Sequence, residues 1–156
     1  MSYTTPVTDR TLSDITGMTT KGYFNVADWS RIYDNTLVLS TMLAAIGQPS
    51  TFTTISTVTT SSIPGVTDFN NLIGNIKNVQ SIVEGFLVSP TGLETLKSDW
   101  LAGASEPTFN YVHVNSWEQN ISILYQFISG LAILRKPRSG ISTSGTSLTR
   151  NNRFRG

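Results

Sequence analysis

The chain contains no cysteine, which excludes a disulfide framework, a thiol nucleophile, an iron–sulfur cluster and any cysteine-based zinc site. Histidine is nearly as scarce: His113 alone rules out a multi-histidine metal centre and leaves one candidate for imidazole catalysis. Charge is thin, at 13% of 156 residues against the ~25% usual for globular chains. The hydrophobic share of 38%, joined by 12 glycines, still supplies a core for one domain. Much of the surface must come from the 19 serines and 22 threonines, and such a surface suits a subunit covered by neighbours better than a free monomer. Long hydrophobic runs are missing too. The most apolar stretch, Ile121 to Leu134, is interrupted by Ser122, Gln126, Ser129 and Gly130 and falls short of the ~20 residues that span a bilayer, so it reads as a buried helix and no membrane is expected. The start, MSYTTPVTDR, lacks the basic-then-apolar order of a secretory signal, which predicts a protein made in a cytoplasm.

Acids are absent after Glu118, while six of the eleven basic residues (Arg135, Lys136, Arg138, Arg150, Arg153, Arg155) lie beyond position 134. Five basic against ten acidic residues remain upstream, giving a body near −5 and a tail of +6. Opposite signs favour docking of the tail on the acidic surface of a neighbouring copy, or on nucleic acid.

What is present is a short signature, found three times: Val26–Asp28–Trp29 within YFNVADW, Val66–Asp68–Phe69 within VTDF, and Val114–Ser116–Trp117 within YVHVNSW. The spacings of 40 and 48 residues mark a loose internal triplication. Each copy reads as a helix start, with an Asp or Ser that accepts from unpaired first-turn N–H groups, and with a Val and an aromatic that staple the turn. Apolar residues then recur at three-four spacing. The stripes are Trp29, Ile32, Thr36, Leu39, Leu43, Ile46; Phe69, Leu72, Ile76, Val79, Val83, Phe86; and Trp117, Ile121, Leu124, Ile128, Leu131. They predict long helices over 28–46, 67–87 and 116–135, the first ended by Gly47 and Pro49. The last is apolar almost all round and should be enclosed by the others. Pro90 and Thr91 open an expected short helix over 91–101, carrying Leu93, Leu96, Trp100 and Leu101.

The remaining segments are polar. Residues 50–62 are Thr-rich, with Phe52, Ile55 and Val58 at a three-residue spacing that fits neither strand nor helix, and read as an extended loop that has room for a strand pair. Residues 1–22 read as an extended arm with one turn around Ser13. Residues 137–156 have a Gly/Ser linker composition and a basic aromatic tip. The expectation is a mainly α fold: a small bundle of three long helices and one short one, a body over 23–136 and an arm at each end, both arms expected to hold neighbouring subunits. The expected docking residues are Arg138, Ile141, Leu148, Arg150, Arg153, Phe154 and Arg155.

Catalytic chemistry is hard to find. His113 stands in a helix lead-in, where a hydrogen-bonding role is expected. Asp9 with Asp14, or Asp28 with Asp34, would have to act as a two-carboxylate hydrolase pair, and the six-residue spacing of the second puts it on the wrong face of a helix. No phosphate loop or nucleophile elbow is present. No enzyme activity, cofactor, metal or small-molecule substrate is expected.

The stretches DRTLSD at 9–14 and KGYFNVADWSRIYDN at 21–35 resemble a module of small structural proteins and tail-fibre leaders of tailed bacteriophages. That module shows an Asp-Arg-Thr start, a Lys-Gly/Ala-Tyr-Phe/Leu-Asn turn and an Asp-Trp/Leu-Asn-Arg-Ile helix start; Ser30 stands where the pattern often has Asn. TDFNNLIGNIKNV at 67–79 is similar to repeats in the same group. The likeness covers some 40 residues. It implies a multi-copy virion component of the tail, baseplate or collar, made in the host cytoplasm and partnered by copies of itself and other virion proteins. The alternative is a nucleic-acid-associated head-completion or packaging protein that uses the basic tail.

Overall fold

The three-four stripes become helices. A computed structural model describes residues 2–59, 61–62, 64–101 and 109–134, and among these are four helices and no strand: α1 (Leu12–Thr16), α2 (Val26–Ala45), α3 (Val66–Glu84) and α4 (Tyr111–Leu134). Each long helix packs against the other two. Ile32, Leu39 and Leu43 of α2 meet Leu72, Ile76, Val79 and Val83 of α3 and Ile121, Leu124 and Ile128 of α4 in one core, all fully buried. Burial of each such side chain stabilises the fold by roughly 1.5–3 kcal/mol. No helix among the described residues is long and apolar enough to cross a membrane.

The three long helices run in the same direction. Phe24 and Trp29 at the start of α2 lie against Phe69 in the first turn of α3, and Phe69 against Phe109 just before α4, while Phe86 past the end of α3 meets Phe127 late in α4. Parallel helices need connections that return along their full length, about 30 Å for twenty residues. Extended segments over 51–59 and 93–101 do this, and residues 2–11 lie on the body in the same manner.

Caps fix where the helices begin. Asn25 accepts from the amides of Ala27 (2.8 Å) and Asp28 (3.2 Å), and the Asp28 carboxylate accepts from the Asn25 N–H (3.2 Å), a reciprocal box that satisfies three otherwise unpaired donors. Its staple is Phe24 on Trp29, with centroids 6.4 Å apart, and Val26 is simply the first helical residue. In α3 the Asp68 carboxylate accepts from the Gly65 N–H at 3.0 Å. α2 ends in a Schellman turn: Gly47 at φ +78° donates to Ala44 O and Gln48 to Leu43 O, a left-handed position that glycine takes without strain.

Two expectations need correction. α4 starts at Tyr111, so Val114, Ser116 and Trp117 lie inside it and do not start it. Its cap is Asn110, which accepts from the Val112 N–H at 3.0 Å while His113 Nδ1 accepts from the Asn110 N–H at 3.3 Å. Phe109-Asn110-x-x-His113 is therefore the counterpart of Phe24-Asn25-x-x-Asp28, with His in the place of Asp. The caps stand at 25, 65 and 110, and the repeat spacings are 40 and 45 residues in place of 40 and 48. Residues 91–101 are not helical; the short helix is α1, the expected turn at Ser13. Leu96 is buried and Leu93 and Trp100 pack on the core, but Leu101 is 73% exposed. The backbones of Glu94 and Trp100 bond to side chains of α4 and α3, so their polar groups are satisfied without a helix.

Candidate functional site

The helix starts meet at one pole, where Phe24, Trp29, Phe69, Phe109 and Trp117 form a mutually contacting ring cluster with centroids 5.1–6.4 Å apart. Beneath it lies a buried ionic quartet. Arg10 Nη2 donates to Asp28 Oδ1 (2.8 Å) and Glu118 Oε1 (3.0 Å), and Arg31 donates to Asp28 Oδ1 (2.5 Å) and to both Glu118 oxygens (2.6 and 2.9 Å). Glu118 Oε2 also takes the Val7 N–H at 2.7 Å. Two cations and two anions cancel. The hydrogen bonds to Glu118, ahead of those to Asp28, raise the Arg31 guanidinium pKa against the opposing effect of burial. Arg10 Nε is buried without a partner, so the quartet is well but not completely satisfied. Its acceptors are all engaged, in tying residues 7–10 to α2 and α4, in joining α2 to α4 through Arg31 and in capping α2, which makes it a structural lock.

A second device has threefold regularity. Ten residues past each cap stands an asparagine whose amide pairs with both backbone groups of one residue in the extended segment preceding that helix. Asn35 holds Thr4 (2.8 and 2.7 Å), Asn75 holds Thr53 (2.7 and 2.8 Å) and Asn120 holds Glu94 (2.8 and 2.8 Å). A carboxamide has the donor and acceptor of a peptide group, so it replaces the ladder partner that a lone strand lacks. Six residues further along, each segment crosses another helix five residues past its cap. There Asn115 of α4 holds Arg10 (3.2 and 2.8 Å) and Asn70 of α3 holds Trp100 (3.0 and 3.0 Å). The arrangement closes on itself: first segment to α4, third to α3, and the second, by elimination, to α2.

That last crossing is different. Five past the α2 cap stands Ser30, which is exposed, and Thr59, the counterpart of Arg10 and Trp100, donates its N–H to Ser62 Oγ at 2.8 Å. Two cavities flank the segment here. One of about 240 Å³ is lined by Phe24, Trp29, Val58, Pro64 and Phe69, the other of about 220 Å³ by Trp29, Tyr33, Asp34, Ile55 and Val58. Asp34 is half-buried and has no hydrogen-bond or ion-pair partner among the described residues. A third cavity, about 440 Å³, opens between Leu12 and Ile15 of α1 and Phe24, Phe109 and Val114. Leu12 at its mouth is 63% exposed.

The expected site residues are distributed as follows. Val26, Asp28, Trp29, Val66, Asp68 and Phe69 sit at helix starts, whereas Ser116 lies within α4 and hydrogen-bonds the Glu94 carboxylate. Arg138, Ile141, Leu148, Arg150, Arg153, Phe154 and Arg155 lie outside the described residues. His113 has the hydrogen-bonding role expected; burial lowers its pKa, opposed by its bond to the Asn110 backbone and aided to a smaller extent by Lys97. Asp9 and Asp14 both face Lys21, at 2.8 and 3.7 Å, and Asp28 belongs to the quartet. Among the described residues no group of three or more His, Asp or Glu side chains is placed to hold a metal. The pairing of Arg10 with Glu118 and the asparagine clamps were missed by the sequence reading. One signal for the first was available: Glu118 is the only charged residue in α4, a helix expected to be enclosed. Comparison with known proteins gives no matching family model, no matching curated protein and no matching solved structure.

Proposed function

We propose that this chain is a non-enzymatic building block of a tailed-phage virion, a multi-copy tail, baseplate or collar component whose basic C-terminal arm holds a neighbouring subunit. The observation that carries this reading is how the polar groups are used. The quartet, the caps and the five clamps tie its buried polar groups to one another, while large apolar side chains such as Leu12, Met18, Leu87 and Val88 face outward. Exposed apolar groups on a weakly charged surface suit a subunit whose faces neighbours cover. The body of about −5 and the tail of +6 supply complementary surfaces between copies. The first arm bonds to its own body through Asn35, Asn115 and the quartet, which leaves the C-terminal arm for contacts between copies.

The residues behind the phage resemblance fit the same picture. Asp-Arg-Thr and Ala-Asp-Trp-Ser-Arg-Ile contain Arg10, Asp28, Trp29 and Arg31, so the likeness rests on the lock and the ring cluster and not on a ligand site. Sedimentation tests the reading: the full chain, alone or with virion partners, is expected to assemble, and a chain truncated after Lys136 to keep its helices and lose assembly. Equal assembly of both defeats the arm's role. The alternative, nucleic-acid binding by the tail, is favoured only by its +6 charge; it predicts affinity for DNA that falls steeply with salt.

A further inference from the structure

We infer that the unclamped crossing at Ser30 is the receiving site for the Arg153–Phe154–Arg155 segment of a second copy, with Phe154 in the cavity between Trp29, Val58 and Phe69 and a flanking arginine on Asp34. The inference rests on the multi-copy reading above and names the surface used. Three features carry it. The crossing is the one place where the threefold pattern lacks its asparagine, and cavities of about 240 and 220 Å³ lie on either side of Val58, sharing Trp29 as a wall. The first is walled by aromatic rings and proline, which an aromatic side chain fills with edge-to-face contacts. The second contains Asp34, a half-buried carboxylate with no partner among the described residues, and a planar guanidinium is the side chain that pairs with it best. Only the C-terminal tip of this chain sets a phenylalanine between two arginines.

Geometry favours a neighbour as the donor. The cavities lie at the pole where the helices start, whereas the tail continues from the far end of α4, whose 24 residues span about 36 Å. Copies stacked head to tail bring the tail of one to the receiving pole of the next without reversing its path. Charge assists each contact, since a tail of +6 meets a body of about −5.

The test follows the indole N–H resonance of Trp29 by NMR in the full chain over a concentration series, beside Phe154→Ala and Asp34→Asn, with sedimentation on the same samples. In the wild type the resonance is expected to shift as concentration rises. Phe154→Ala is expected to weaken that association about tenfold or more, and Asp34→Asn, as a rim pair, about two- to fivefold. Addition of a peptide of residues 150–156 should shift the same resonance and reduce the sedimenting mass. Identical behaviour of all three chains, or a Trp29 shift independent of concentration, overturns the inference. If Trp29 stays unmoved while the wild type still assembles, this docking site fails and the multi-copy reading stands; a wild type that remains monomeric with every virion partner defeats that reading itself.

Discussion

The crossings at Arg10 and Trp100 differ from the one at Thr59 by a single kind of side chain. Where Asn115 and Asn70 reach across, the extended backbone is tied to the helix by two hydrogen bonds; where Ser30 stands, the side chain is too short, Thr59 turns to Ser62, and open space remains beside Val58. The difference shows what holds this fold together. Hydrophobic stripes make the three helices pack, but a polar segment with no strand partner stays on the surface only if side chains take up its peptide groups, because a part-buried N–H or C=O left unpaired costs about 1–3 kcal/mol. Ser30 is also where the phage-like pattern often carries Asn, the residue that the two sister crossings call for.

The largest effect should come from the strongest crossing. Glu118→Ala removes three arginine contacts and the acceptor of the Val7 N–H, leaving the buried guanidinium of Arg10 and the part-buried one of Arg31 short of counter-charge, so urea unfolding is expected to show a loss of about 3–5 kcal/mol. Asp34→Ala, at the open crossing, should stay within about 0.5 kcal/mol of wild type; similar values for the two would erase the distinction between the crossings.

Next in size are the clamps. Asn120→Ala strands both polar groups of Glu94 and a contact to Gln80, for an expected loss of about 2–4 kcal/mol. Asn115→Ser turns a sound crossing into the likeness of the open one, and about 1–3 kcal/mol is expected for its lost bonds to Arg10. The reverse exchange, Ser30→Asn, is expected to stabilise by up to about 1 kcal/mol if the new amide captures Thr59. A denaturation midpoint that falls in Ser30→Asn would mean that something other than the missing amide sets the path of residues 57–59.

The smallest effect separates the caps. Asp28 and Asp68 close the starts of α2 and α3, and His113 does so for α4. Because burial lowers the His113 pKa in the fold, the unfolded chain binds the proton more readily. Stability from this group is therefore complete above the ordinary value of 6.5 and is lost as pH falls through it toward the folded value. Thermal melts at pH 7.5 and 5.5 should show this loss, and His113→Asn should flatten it. An unchanged pH slope in the variant would assign the effect to other groups.

How much of this was legible in the letters depends on the range of the interaction. Three-four stripes, Gly47 as a stop and the turn at Ser13 are local and were readable. α4 begins earlier than the stripe from Trp117 implies, because a histidine in the third helical position does not advertise a box, although Phe109-Asn110 repeats Phe24-Asn25. Leu93, Leu96 and Trp100, at steps of three and four, suggest a helix, but a step of three is shared by helices and by extended chains whose burial recurs every third residue, as in Phe52, Ile55 and Val58. The site was less legible. Asn35, Asn75 and Asn120 stand at one register in three helices, yet each acts on a residue 22–31 positions away, and Arg10 meets Glu118 across 108 positions; no periodicity encodes such pairs.

Amide hydrogen exchange at six residues tests the central claim most directly. Thr4, Thr53, Glu94, Arg10 and Trp100 lie outside every helix, and Thr59 is their unclamped counterpart. If asparagine side chains hold the extended segments, the first five amides should exchange slowly, in the manner of helix-interior amides, and Thr59 should exchange far faster. Equally fast exchange at all six would contradict the account.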